Sequence, residues 1–160
     1  MGVVGWKNAG KTTLVERLVA ELTRRGWKIA TVKHAHHDAD IDQPGRDSWR
    51  HRAAGAREVA LVTGKRWAIM HEADGEPALD EVVARLAPAD LVIIEGFKRE
   101  PHPKIEVRAN GASGESIVVG DPNVIAIAAD VQPAETGLPW FRRDDIAGLA
   151  DFIAARLGRR

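Results

Sequence analysis

Near the amino end the chain reads Gly5-Trp6-Lys7-Asn8-Ala9-Gly10-Lys11-Thr12-Thr13, and no other stretch narrows the fold as much. The pattern G-x-x-x-x-G-K-T needs a strand before it and a helix after it. Both are present: the apolar run Gly2-Val3-Val4 precedes it, and Thr13 to Arg25 is amphipathic. Such a loop curls its backbone N–H groups into a concave nest, while the following helix points its positive end at the same spot. Gly5 and Gly10 let the backbone approach an anion without a Cβ in the way. Lys11 can place its ammonium between two phosphates, and Thr12 can offer its hydroxyl to Mg²⁺. Lys7, Asn8, Ala9 and Thr13 complete the candidate phosphate-binding set. Met1 to Val4 make a short first strand, one that is clipped or that begins upstream of this sequence.

The remaining periodicity fits the same architecture. Leu14, Val15, Leu18, Val19 and Leu22 recur at helical spacing, with Arg24-Arg25 and Gly26 as a stop. Trp27 to Val32 reads as a strand. Residues 33–42, Lys33-His34-Ala35-His36-His37-Asp38-Ala39-Asp40-Ile41-Asp42, form a polar, aperiodic loop that Pro44-Gly45 extends. A short helix over Asp47 to Ala54 ends at Gly55. Glu58 to Thr63 and Arg66 to Met70 are the arms of a β-hairpin, and Gly64 at the first turn position predicts a type II′ turn. Leu79, Val82, Val83 and Leu86 mark a second amphipathic helix, closed by Pro88. Leu91-Val92-Ile93-Ile94 is apolar throughout, as in a strand buried on both faces at the centre of a parallel sheet. Ile105 to Val107 suits a further strand, Gly111 to Gly114 a turn, and Ile117 to Val119 and Val124 to Ala128 are two more apolar runs. Residues 130–139 read as loop. Asp144 or Asp145 caps a last helix with Ile146, Leu149, Ile153 and Leu157 on one face. Strands alternating with helices around the loop predict an α/β fold of three layers, the P-loop NTPase arrangement, with a mainly parallel sheet and a β-hairpin insertion. No internal repeat or boundary divides residues 1–160, so one nucleotide-binding domain is expected.

Composition removes several classes of function. With 160 residues, the chain is long enough for one sizeable core. Formal net charge is zero, so no global field draws the chain to nucleic acid or to a membrane surface. No apolar run approaches the ~20 residues of a membrane span, and no signal peptide is visible. There is no cysteine, which excludes disulfides and thiolate metal sites. A cytoplasmic protein is the expectation.

In open α/β sheets, ligands gather at the carboxyl ends of the strands. Four polar sets fall at such ends: the phosphate loop, Lys33-His34, Glu95-Gly96 and Asp130. Glu95 stands where it can hold Mg²⁺ through water or orient an attacking water. Gly96 can bring a backbone N–H to the terminal phosphate. Asp47, after Gly45-Arg46, either reaches a metal opposite Thr12 or caps its own short helix; Asp40 and Asp42 compete with it. His34, His36 and His37, with Asp38, Asp40 and Asp42, read either as a transition-metal site or as a solvated loop. Lys33 and His34 can instead contact phosphate. Arg99, His102, Lys104 and Arg108 make a basic cluster suited to an anionic partner, or a surface of mixed charge with Glu100 and Glu106.

Taken together, the phosphate loop, Val32-Lys33-His34, Gly45-Arg46-Asp47-Ser48 with Ala54-Gly55-Ala56, Glu95-Gly96-Phe97-Lys98 and Pro103-Lys104-Ile105 resemble the molybdopterin-guanine dinucleotide biosynthesis protein B (MobB) family. Glu-Gly-Phe-Lys followed by Pro-Lys-Ile is the more specific part. The resemblance implies a GTP- and Mg²⁺-binding protein, at most a slow GTPase. It implies a homodimer of the signal-recognition-like branch, and an adaptor to the MobA-type enzyme that attaches GMP to molybdopterin. The resemblance leaves open whether the chain contacts molybdopterin itself. It carries phosphate binding onto Gly5 to Thr13, and metal, γ-phosphate or catalytic roles onto Asp47 and Glu95. Many relatives in the wider branch place a second lysine directly after the first loop glycine, where this chain has Trp6. There is no Asn-Lys-x-Asp motif for reading guanine; Asp130 is the best candidate to accept from guanine N1–H and N2–H. Two other readings are a metallochaperone GTPase using the His34–His37 loop and a small-molecule kinase.

Overall fold

The structure, a computed structural model, describes residues 1–35, 42–110, 115–133 and 137–159. In chain order its elements are β1 Gly2–Val4, α1 Lys11–Arg24, β2 Ile29–Lys33, α2 Asp47–Ala53, β3 Glu58–Val62, β4 Trp67–His71, α3 Leu79–Ala84, β5 Leu91–Glu95, β6 Lys104–Arg108, β7 Val124–Ala129, β8 Trp140–Arg142 and α4 Ile146–Arg156. A single 3₁₀ turn covers Ile117–Val119. They form two compact units, one of Met1–His34 with Leu79–Arg160, the other Ala35–Ala78.

The first unit holds a six-stranded sheet in the order β2-β5-β1-β6-β7-β8. Every neighbouring pair in it is parallel. Side chains alternate across it, as the period of two requires. Leu91 and Ile93 of β5 join Leu14, Leu18 and Leu22 of α1 and Leu149 and Ile153 of α4 in one core. Ile94, from the same strand, packs with Val32 and Leu79 on the opposite face, with Val82, Val83 and Leu86 beside them. That gives the expected three layers: α1 and α4, the sheet, and α3. Leu18 and Leu22 are fully buried, each worth roughly 1.5–3 kcal/mol of transfer free energy. The side chain of Asp145 caps α4 by accepting the Gly148 N–H at 3.0 Å.

Strand β6 shows most clearly what alternation alone cannot say. Ile105 and Val107 enter the helix-side core. Lys104 and Glu106 face the other way and are buried as well. Lys104 Nζ donates to Asp121 Oδ2 at 2.6 Å. Glu106 accepts the N–H groups of Ile117 and Val118 at 3.0 and 3.1 Å, so the apolar run 117–119 is a capped 3₁₀ turn that covers the sheet. Arg108 pairs with Glu106 at 2.9 Å and also meets the Ser116 hydroxyl. The two ring nitrogens of His102 are buried without a partner. The expected basic cluster of Arg99, His102, Lys104 and Arg108 is therefore not a surface: only Arg99 is exposed, while Lys104 and Arg108 are paired with Asp121 and Glu106 on the sheet's second face.

One strand lies outside the expected elements, and one other expectation changes. Residues 140–142 form the edge strand β8 directly after the loop, too short and polar-flanked to show a period. Leu157 ends α4 as its C-cap and is 46% exposed, so it is not part of the buried face.

In the second unit β3 and β4 pair antiparallel from Glu58↔His71 to Val62↔Trp67. The connection is not a type II′ turn, because Gly64 lacks the positive φ that such a turn requires. Thr63 closes it instead: its Oγ1 accepts the Arg66 N–H at 3.1 Å. Val59 is buried, while Leu61, Val62, Trp67 and Ile69 are exposed. Helix α2 begins at Asp47, with Arg46 in the cap position and no side-chain cap, so Asp47 is not an N-cap.

Candidate functional site

The phosphate loop follows β1, the strand between β5 and β6. Its path depends on two left-handed residues, Asn8 at φ 64° and Gly10 at φ 90°. A Cβ on Gly5 would lie 2.6 Å from the Val107 carbonyl oxygen of β6. The loop passes so close to the neighbouring strand that only glycine fits there. Ala9 is buried, whereas Lys7 and Asn8 are exposed, and the Ala9 N–H closes the turn on Trp6 O at 3.2 Å. Helix α1 then starts from Gly10 with no side-chain cap. The first N–H groups of a helix have no intrahelical partner, so the amides at the start of α1, through Thr13, are available to an anion.

Beside them, the Thr12 hydroxyl donates to Glu95 Oε1 at 2.7 Å. Glu95 ends β5 and is 8% exposed; the sheet carries it there through the register Val3↔Glu95 and Lys33↔Glu95. Lys33 Nζ lies 3.5 Å from the same oxygen. Lys11 Nζ folds back to donate to Trp6 O at 2.9 Å. Burial holds the Lys11 ammonium below the usual lysine range, Lys98 and Lys33 push it the same way, and Glu95 opposes them. Lys98, also lowered by burial, sits 4.0 Å over the Trp6 ring. One carboxylate among these lysines leaves a net positive cup, which a polyphosphate would neutralise. A hydroxyl and a carboxylate side by side are hard oxygen donors of the kind Mg²⁺ takes, so the residues present fit both the phosphates and the metal.

Gly96 and Phe97 both have positive φ, 96° and 49°. The Gly96 N–H donates to Val3 O at 3.1 Å, so it belongs to the sheet and is not aimed at a phosphate. Glycine is needed there for another reason: a Cβ would lie 2.9 Å from His34 Cβ. His34 stacks on Phe97 with ring centroids 4.5 Å apart. Two consecutive left-handed residues, one of them Phe, store strain of the sort that gathers at functional sites.

On the other side of the loop is a cavity of about 270 Å³ lined by Gly10, Thr13, Arg17, Asp130 and Arg143, among others. Asp130 follows β7. Arg143 grips it with two bonds, Nε to Oδ1 at 2.6 Å and Nη2 to Oδ2 at 2.9 Å. The Asn110 N–H also donates to Oδ2 at 2.9 Å. These bonds, Arg143 first, hold the Asp130 carboxyl below the usual carboxylate range. The sequence reading missed Arg143 because it lies past β8, in no recognisable motif. It also gave Lys98 no part, although Lys98 was in view within Glu-Gly-Phe-Lys.

Asp47 lies in the second unit, with its carboxylate exposed 3.9 Å from Arg50. Asp42 has a local structural task, accepting from Ser48 Oγ at 2.9 Å and Arg52 Nε at 3.3 Å. His36, His37, Asp38 and Asp40 lie outside the described residues. Among the described residues no three His, Asp or Glu side chains cluster as metal ligands.

A family model described as "Molybdopterin guanine dinucleotide synthesis protein B", MobB, matches residues 1–130. The chain is 38% identical over 159 residues to the molybdopterin-guanine dinucleotide biosynthesis adapter protein of Escherichia coli K12, covering 96% of this chain and 90% of that one. It is 37% identical over 155 residues to the protein of the same name from Haemophilus influenzae, covering 96% and 86%. Among solved structures, the crystal structure of a molybdopterin-guanine biosynthesis protein B superposes with a TM-score of 0.78 at 28% identity, covering 99% of this chain and 98% of that one. A MobB homologue from Bacillus stearothermophilus gives 0.72 at 28% identity, covering 99% and 97%.

Proposed function

The chain belongs to the MobB family, and from that premise we propose that it works as an adapter in molybdopterin-guanine dinucleotide biosynthesis by binding GTP with Mg²⁺. The observation that carries the nucleotide part is the contact between the Thr12 hydroxyl and Glu95 at 2.7 Å, made beside an α1 that starts without a cap. In this reading the amides of Lys7, Asn8 and Gly10 to Thr13 and the Lys11 ammonium hold the distal phosphates, while the Ala9 amide closes the turn on Trp6 O. Thr12 and Glu95 hold Mg²⁺, which neutralises phosphate charge when bound. Lys33 and Lys98 add positive charge to the cup, and the backbone at Gly96 fixes Glu95 against it. Asp130 lines the nucleoside side. Asp47 is the second unit's candidate for the metal, on family likeness alone, and any hydrolysis is slow.

The partners proposed with it are the MobA-type GMP-transferring enzyme, molybdopterin and a second copy of this chain. The hairpin supports the dimer: a two-stranded sheet alone is marginal in water, and Val62, Trp67 and Ile69 share one exposed face of it. No helix among the described residues is long and apolar enough to cross a membrane; a cytoplasmic setting is part of the proposal. A binding panel tests it: GTP, GDP and ATP, with and without Mg²⁺, then with the GMP-transferring enzyme and molybdopterin added. Tight, Mg²⁺-dependent GTP binding that strengthens association with the enzyme is expected. An adapter that associates equally well without nucleotide overturns the nucleotide part.

A further inference from the structure

The cavity beside Gly10 holds a feature that phosphate capture by the loop leaves unexplained. Arg143 reaches across it from the segment after β8, and its Nη1 donates to the Ala9 carbonyl at 3.3 Å. A Cβ on Gly10 would lie 2.6 Å from that same nitrogen. The guanidinium therefore sits against the uncapped start of α1. A cation is disfavoured at the positive end of a helix, and here Asp130 holds it in place with two short bonds, 2.6 and 2.9 Å. The neighbouring pair on the cavity wall, Arg142 with Asp144 at 3.0 Å, is already matched. Arg17 adds a further positive charge to the lining. The wall is thus surplus in cations.

The commitments of Asp130 decide between two roles for it. A carboxylate that reads guanine needs both oxygens for N1–H and N2–H. Here Oδ1 takes Arg143 Nε, and Oδ2 takes Arg143 Nη2 and the Asn110 N–H. Turning Asp130 toward a base would strip a half-buried guanidinium of its counter-charge. Arginine has five N–H donors. Three are engaged by Asp130 and Ala9, so one on each Nη is left for the cavity.

Resting on the nucleotide reading above, we propose that Arg143 is a ligand-contacting residue for the α-phosphate and ribose of the bound nucleoside triphosphate, and that Asp130 is its positioning residue, not a reader of the base. The distal phosphates occupy the amide cup at the start of α1. The rest of the nucleotide then runs past Gly10 and Thr13 into this cavity, where an oriented guanidinium meets anionic oxygen.

The test titrates GTP, ITP and XTP with Mg²⁺ against the full chain and four variants: Arg143→Met, Arg143→Lys, Asp130→Asn and Arg143→Met with Asp130→Asn. Lys11→Ala runs in parallel, and circular dichroism confirms folding. Arg143→Met and Asp130→Asn each weaken all three nucleotides by roughly 10- to 100-fold, with the order among the bases unchanged. The double variant is no weaker than Arg143→Met alone, and Arg143→Lys recovers part of the loss. A switch of Asp130→Asn from GTP toward XTP, which carries a carbonyl where guanine has its amino group, overturns the proposal and makes Asp130 the base reader. Unchanged binding by Arg143→Met while Lys11→Ala loses binding overturns the proposal and leaves the phosphate site standing. Unchanged binding by Lys11→Ala overturns both.

Discussion

Exchanging Glu95 for Gln removes one charge and little else, which makes it the most informative single change at the site. The side chain keeps its length, and its amide oxygen can still accept from Thr12 Oγ1, now 2.7 Å from Oε1. What goes is the charge assistance. A bond to an ionised acceptor contributes roughly 1.5–3 kcal/mol against about 1 for a neutral one. The Lys33 contact is 3.5 Å long, but the lysine is 61% exposed, so its share is about 0.5 kcal/mol or less. Glu95→Gln should therefore lower the stability of the ligand-free protein by about 1–2 kcal/mol, roughly 3–6 °C in Tm for a chain of this size. The ligand effects run in opposite directions. Without metal, the triphosphate no longer meets a carboxylate in a cup of lysines, so binding is unchanged or tighter. With Mg²⁺ the cation loses a ligand, and the strengthening that Mg²⁺ gives to GTP binding falls by roughly tenfold or more, about 1.4 kcal/mol. Thermal melts and GTP titrations with EDTA or Mg²⁺ read both quantities. An unchanged Mg²⁺ enhancement would refute the metal role of Glu95, and a loss of more than about 4 kcal/mol in the free protein would make it a structural ion pair instead.

Two further changes probe the scaffold around the site. Gly5→Ala would place a methyl 2.6 Å from the Val107 carbonyl oxygen, a backbone atom; chemical denaturation should show a cost of roughly 1–3 kcal/mol together with weaker GTP binding, while Gly64→Ala, with open space around it, serves as the silent control. His102 supplies a pH dependence: burial, helped by the Lys104 charge, pushes its pKa down to about 4 from the usual 6.5. Between those values the unfolded chain takes up a proton that the folded protein refuses, so stability rises with pH across this window and is lost as pH falls through it. Discounted for partial exposure, the loss from pH 7 to pH 4 is roughly 1–2 kcal/mol. Denaturation curves of His102→Leu should be flatter there; an equal slope would place the titration elsewhere.

The central layout was legible because its signals are local. A glycine-lysine-threonine loop, an unbroken apolar strand ending in Glu95, and the spacing of Leu14, Leu18 and Leu22 each show their structure without knowledge of a neighbour. What escaped was set by distant partners. Lys104 and Glu106 read as the solvent side of an alternating strand, and only the arrival of Asp121 and the 117–119 turn makes them interior. Gly96 reads as an amide donor, and only the passage of His34 shows its true reason. Arg143 stands 13 residues beyond Asp130, with no motif to connect them. The hairpin was visible, but the type of its turn depends on φ at Gly64, which Thr63 decides.

In the proposed function, the uncapped start of α1 seats a nucleotide's phosphates, with Lys11 as their cation. Calorimetric titration of GTP with Mg²⁺ into the unaltered chain and into Lys11→Ala tests that directly. Saturable one-site binding to the first and a loss of roughly 100-fold or more in the second are expected, with both proteins equally folded by circular dichroism. Equal affinity in the two would contradict it.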